Sequence, residues 1–160
     1  MDGGIGYMEK DWGTSFPNSW IWMQTNHFEQ ENVCLMASVA RIPWLGSSFI
    51  GFLGGILVDG KVHRFATYTG AKQIKSTVTD DEVELILGNK KKKLHIKAQK
   101  GKVGELIFPI SGKMTGKLNE SIDATVEVEL IEKDKVLYSG KGRNMGLEIG
   151  GEYKELLRSK

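Results

Sequence analysis

From Trp20 to Ile149, apolar and polar residues alternate with a period of two in one short run after another, and no helical segment is interposed. Such runs are read at 20–28, 33–41, 49–58, 62–68, 73–79, 82–87, 93–99, 105–110, 124–131, 136–139 and 143–149. Asp59-Gly60 between two of them is a strong hairpin signal, because glycine tolerates the positive φ of a primed turn. Weaker turn chemistry recurs at Gly88-Asn89 and Lys133-Asp134. The one helical segment expected is 152–158, where Tyr153, Leu156 and Leu157 share a face. Many short strands joined by tight turns imply an all-β chain, an antiparallel meander that curls into a barrel or a pair of packed sheets. Twenty glycines suit the bulges and sharp bends of that geometry. With no internal repeat and no Pro/Ser-rich linker, one domain over 1–160 is expected.

Composition removes several function classes. Basic and acidic residues number 22 and 20, mixed along the chain, for a net charge of +2; without a basic face, nucleic acid is not an expected partner. The longest apolar run, 49–58, falls short of the roughly 20 residues of a spanning helix, and no integral membrane segment is expected. No basic n-region or apolar h-region opens the chain. The single cysteine, Cys34, cannot form an intrachain bridge and fits a reducing compartment, so a cytoplasmic location is expected. Lys90 to Lys93 read as a charged hairpin tip that guards an edge. His27, His63 and His95 are far apart, no metal-ligand spacing occurs, and there is neither a nucleophile elbow nor a phosphate loop. No metal or cofactor is expected; any enzyme of this sequence would use acid chemistry in a shaped apolar cavity.

The densest chemistry lies in the first 28 residues. Three of the four tryptophans, Trp12, Trp20 and Trp22, fall there. A regular strand over 20–28 places Trp20, Trp22, Gln24, Asn26 and Phe28 on one face and Ile21, Met23, Thr25 and His27 on the other. A barrel of about eight strands is filled by side chains or holds one small ligand. The indoles therefore either plug a core or line a pocket into which Gln24 and Asn26 aim their amides. Glu9, Lys10 and Asp11 are either a solvated approach to the strand or an acid cluster, in which Asp11 or Glu9 is desolvated beside Trp12 and stays protonated near neutral pH.

Gly6-Tyr7-Met8-Glu9-Lys10-Asp11-Trp12-Gly13, then Phe16-Pro17, Trp20, Trp22, Gln24, Asn26 and Phe28, resemble the signature of the tocopherol cyclase family. Asp59-Gly60-Lys61, Phe65, Gly70 and 147–151 are similar to its later blocks, in the same order. The resemblance implies a lipocalin-like β-barrel that corresponds to the C-terminal half of two-barrel family members. It also implies either pairing with a preceding barrel half or a homodimer that supplies what this chain lacks. The implied reaction closes a prenylated hydroquinone into a chromanol by protonating the first tail double bond. An apolar isoprenoid-type molecule is then the implied partner. The implied proton donors are Asp11 or Glu9, with Glu148 as a second acid. Trp12, Trp20 and Trp22 would face the cation, Gln24 and Asn26 would hold quinol oxygens, and Phe28 would complete the aromatic face. His27 points to the other face. The alternative is a lipocalin-like binder of an apolar small molecule that performs no chemistry.

Overall fold

A computed structural model describes residues 6–10 and 16–159. Eleven strands follow in chain order: β1 Ser19–Thr25, β2 His27–Phe28, β3 Cys34–Trp44, β4 Ser47–Val58, β5 Lys61–Ala66, β6 Lys72–Val78, β7 Glu82–Gly88, β8 Lys92–Gln99, β9 Val103–Ile110, β10 Lys113–Glu132 and β11 Lys135–Gly151. All belong to one antiparallel sheet ordered β5-β4-β3-β1-β11-β10-β8-β7-β6, with β2 on β11 and β9 on β10. The all-β antiparallel architecture read from the alternation is present. Barrel closure is not: among the described residues no ladder joins the terminal strands β5 and β6.

The sheet curls around one large apolar core. Its inward side chains include Ile21, Met23, Leu35, Val39, Ile56, Leu85, Leu87, Ile96, Val128 and Leu130, each at most 1% exposed. The curl is tight enough that a Cβ added at Gly54 on β4 would stand 2.5 Å from Leu87 Cδ1 on β7, so glycine is needed where opposite walls meet. On the outer surface of β7, β8, β10 and β11, the register sets Glu84, Lys97, Glu127 and Lys141 side by side as a row of alternating charge. Of these, Glu127 and Lys141 form an exposed pair at 2.6 Å that adds little to stability, whereas the largely covered Glu84 pairs with Lys75 and His95.

The C-terminal helix expected over 152–158 is instead a single 3₁₀ turn, Tyr153–Leu156, followed by an extended residue, Leu157. Glycine at 150 and 151 and the short apolar stretch leave no room for several helical turns. The segment acts as a clasp. Leu156 is fully buried in the main core, and its carbonyl accepts from Gln73 Nε2 on β6 at 2.7 Å. Arg158 and Ser76 exchange backbone hydrogen bonds at 2.9 Å. Glu155 pairs with Arg41 of β3 at 2.5 Å and accepts from the Ser19 hydroxyl of β1.

Two long strands change face part of the way along. In β10, Gly116 and Leu118 point outward toward Phe108 and Trp20, whereas Ala124, Val126, Val128 and Leu130 point into the main core. Both sets are even-numbered, so strict alternation cannot serve both. Register shifts between Ser121 and Ala124 and between Ala124 and Val126 supply the reversal. β11 does the same at Asn144, whose φ is 49°: Tyr138 is inward before it, and Met145 and Leu147 after it.

Candidate functional site

The aromatic strand is interrupted at that same level. β1 ends at Thr25, whose hydroxyl donates to the Arg143 carbonyl at 2.7 Å and accepts from the His27 amide at 3.1 Å. Asn26 sits in the break, and β2 resumes against Arg143 and Gly142. Phe28 consequently joins the main core, packing edge-on to Tyr138 at 6.2 Å, and not the tryptophan face on which the regular strand 20–28 would put it. His27 is exposed. Only Trp20, Trp22 and Gln24 share the face expected of them.

That face is the outer one, not the inside of the curl. The inside belongs to Ile21 and Met23, which pack with the aliphatic residues of the main core. Trp20, 5% exposed, forms a second cluster with Ala40 and Leu118, bordered by Trp22, Ile42, Leu106 and Phe108. The hairpin of β9 and the first part of β10 folds over to provide Leu106, Phe108 and Leu118. Phe16 closes the cluster: it stacks on Phe108 at 5.4 Å and meets the Trp20 ring edge-on at 5.5 Å, while Trp20 and Phe108 are edge-on at 5.0 Å. Such pairs are favourable beyond their area because ring edge and ring face carry opposite partial charge.

Small residues make seats for the indoles. Trp20 is registered between Ala40 and Gly150, and Trp22 between Ser38 and Glu148. A Cβ at Gly150 would lie 2.4 Å from the Trp20 indole, and one at Gly146 would lie 2.9 Å from that of Trp22. Replacing Gly150 by alanine is therefore expected to lift Trp20 off the sheet. Overpacking of this kind costs about 1–3 kcal/mol. Urea unfolding should register the loss, and the native tryptophan emission should move to the red as the indole meets water.

Across the sheet at this level the register reads Ser38, Trp22, Glu148, Glu120, Gly104. Glu148 is the centre of the site. It is half-buried, and its Oε2 accepts from Trp20 Nε1 at 2.9 Å. Burial pushes the Glu148 carboxyl above the usual carboxylate range; the Trp20 N–H pulls it back, and the negative charges of Glu120 and Glu9 raise it further. Two carboxyls directly opposite on neighbouring strands repel when both are ionised, which favours a proton on one of them. Glu9 contacts the same group: its Oε2 accepts from Trp22 Nε1 at 3.2 Å and from the Tyr7 hydroxyl. Glu9 is exposed, however, so the desolvation expected there falls on Glu148 instead. Asp11 and Trp12 lie outside the described residues. Gln24 Nε2 is buried and meets no hydrogen-bond acceptor among the described residues. An unmet buried donor costs about 1–3 kcal/mol and marks a place where a guest's oxygen would be welcome.

The sequence pointed to Glu148 only as a reserve acid and to Glu120 not at all. A carboxyl inside a glycine-flanked alternation, Gly146-Leu147-Glu148-Ile149-Gly150, was the available signal: flanking glycines clear space for rings from a neighbouring strand. No group of three or more His, Cys, Asp or Glu among the described residues could hold a metal ion. Among the described residues no helix is long and apolar enough to cross a membrane. A separate groove of about 480 Å³ crosses the charged outer surface beside His95, Glu127 and Lys141. There Glu127 pairs with Lys141 at 2.6 Å, and that partner holds its carboxyl below the usual range.

Comparison with known proteins bears on this geometry. The family model described as tocopherol cyclase-like matches residues 2–151. A curated relative, a probable chloroplastic tocopherol cyclase of Oryza sativa subsp. japonica, is 37% identical over 68 residues, which is 40% of this chain and 14% of the rice protein. The aligned part thus spans a small fraction of that relative's length. No solved structure matches.

Proposed function

The chain belongs to the tocopherol cyclase-like family, and from that premise we propose that its aromatic outer face binds a prenylated hydroquinone and cyclises it to a chromanol, with Glu148 as the proton donor. The carrying observation is a carboxyl held above its ordinary range, registered between Trp22 on one neighbouring strand and Glu120 on the other and hydrogen-bonded by the Trp20 N–H. Protonating an unactivated alkene needs a neutral acid in a dry setting, since an ionised carboxylate has no proton to give. The Glu148 proton goes to the less substituted alkene carbon, leaving a tertiary cation on its neighbour. The faces of Trp20, Trp22 and Phe108 are electron-rich and suit that cation. The phenol oxygen then attacks it, and the phenol proton passes to a carboxylate, Glu148 itself or Glu9. Substrate and product have the same mass.

Gln24 Nε2 donates to a quinol oxygen in this scheme and fixes the ring. The Trp20 N–H already bonded to Glu148 stabilises the carboxylate once the proton has left. Incubation with a prenylated hydroquinone tests the reading: an isomer of unchanged mass and altered retention is expected. Recovery of bound but unaltered quinol would replace it with the second reading, carriage of an apolar small molecule. That reading draws on the aromatic cluster and the unmet Gln24 donor and makes no use of the raised carboxyl.

A further inference from the structure

Two hairpins rise past the ends of β1 and β11 on one rim of the sheet. β3 continues from Ala40, beside Trp20, up to Trp44, and β10 begins at Lys113, five residues before Leu118. The first hairpin turns at Leu45-Gly46 and the second at Ser111-Gly112, with positive φ at both residues of each turn. Since β1 and β11 lie between β3 and β10, three strand spacings hold those two strands roughly 14 Å apart at the base of the hairpins.

The opposite rim supplies an internal control. Asp59-Gly60 and Lys133-Asp134 there make two-residue turns of the same backbone type from polar residues. On the first rim, residues 42–49 contain no charge and 106–114 only Lys113, in a chain that is 26% charged. Trp44 is 62% exposed and Leu45 89%, and Ile110 and Met114 are exposed on the other tip. Leu45 has a φ of 45°. A branched side chain is disfavoured there, where Gly, Asn or Asp would relax the backbone, and its exposure means that packing within the fold gives nothing in return.

We propose that the two tips dock on the lipid–water interface of a membrane. Two separated convex points suit a deformable surface, whereas a folded protein would need two cavities at matching spacing. Tryptophan is enriched at membrane interfaces. Lys113, the one formal charge on the tips, matches phosphate headgroups, and no carboxylate on either tip opposes them. Trp20, on the strand β1 that lies between the two hairpins, packs with Phe16 and with Phe108 of the second hairpin, so docking at this rim brings the aromatic cluster close to the lipid. The inference stands independently of the reaction performed there.

Sedimentation with vesicles of phosphatidylcholine, with and without phosphatidylglycerol, tests it on the full chain. The protein should pellet with vesicles, more so with the anionic lipid, and brominated lipid should quench its tryptophan emission. The pair Trp44→Ser and Leu45→Asn should lower partitioning at least tenfold and reduce the quenching. Its melting temperature should hold or rise, because Asn suits the turn. Failure of the parent to pellet with either vesicle, or equal pelleting of the double variant, would overturn the proposal. So would a parent dimer that these substitutions convert to monomer without any vesicle binding.

Discussion

Replacing Glu148 by glutamine should lower chromanol formation by about 10²–10⁴-fold, the usual contribution of a general acid, while making the folded protein more stable at neutral pH. The second half of that expectation separates this residue from a merely structural one. Glu148 is held above the ordinary carboxylate range by burial and by neighbouring carboxyls, so between its ordinary and its raised value the folded state binds more protons than the unfolded state. Stability then falls as pH climbs through that window. Glutamine keeps an acceptor for the Trp20 N–H and removes the titration, so the variant should gain on the parent above the raised value and lose that advantage below the ordinary one. Thermal melts from acid to neutral pH read this directly, and matching pH profiles for the two proteins would remove Glu148 from its role. Glu9→Gln supplies the contrast: an exposed carboxylate, proposed only as one acceptor of the phenol proton, should cost less activity than the half-buried Glu148.

Loss of residues 152–160 should be the most destabilising truncation of comparable length, although the family match ends at 151. Leu156 is completely buried in the main core, and Leu156→Ala alone should cost about 2–5 kcal/mol through lost transfer free energy and the cavity left behind. Removing the whole segment also breaks the exchange between Arg158 and Ser76 and the Gln73 bond to the Leu156 carbonyl. The ties of Glu155 to Arg41 and Ser19 are lost as well. Urea titration gives the magnitude. The Glu155 carboxyl is held below its usual range mainly by the Arg41 guanidinium; its small contribution is present at neutral pH and fades as pH falls through the depressed value, opposite in sense to Glu148. Because Ser19 adjoins Trp20, truncation should also loosen the aromatic cluster and shift tryptophan emission to the red.

Alternation and turn chemistry made most strands legible in the sequence, including the Asp59-Gly60 hairpin that joins β4 and β5. Much of what they hid comes from the loss of parity at breaks and bulges. Residues 136–139 and 143–149 read as separate strands because the pattern reverses at Asn144, yet the backbone continues as β11. A regular strand would carry the Trp20 face past Asn26 to Phe28, but the chain breaks there. The first part of β10, with exposed Lys113, Thr115 and Lys117, has too few apolar residues to declare itself, although Leu118 and Gly116 face the aromatic cluster. In the sequence Asp11 and Glu9 stand beside Trp12, and the resemblance implies them as donors ahead of Glu148. Pairing across the sheet instead brings Glu148, 128 residues from Trp20, into hydrogen bond with it.

The face reversal in β10 and β11 gives one ribbon two clients. Below the bulges its inward side chains answer to the aliphatic interior, and above them its outward ones answer to the indoles and the acid. Substitutions among Leu118, Glu120 and Glu148 can thus reshape the aromatic and acidic patch while the scaffold's foundations stay untouched, a modular arrangement in which one face can vary without risking the architecture that carries it.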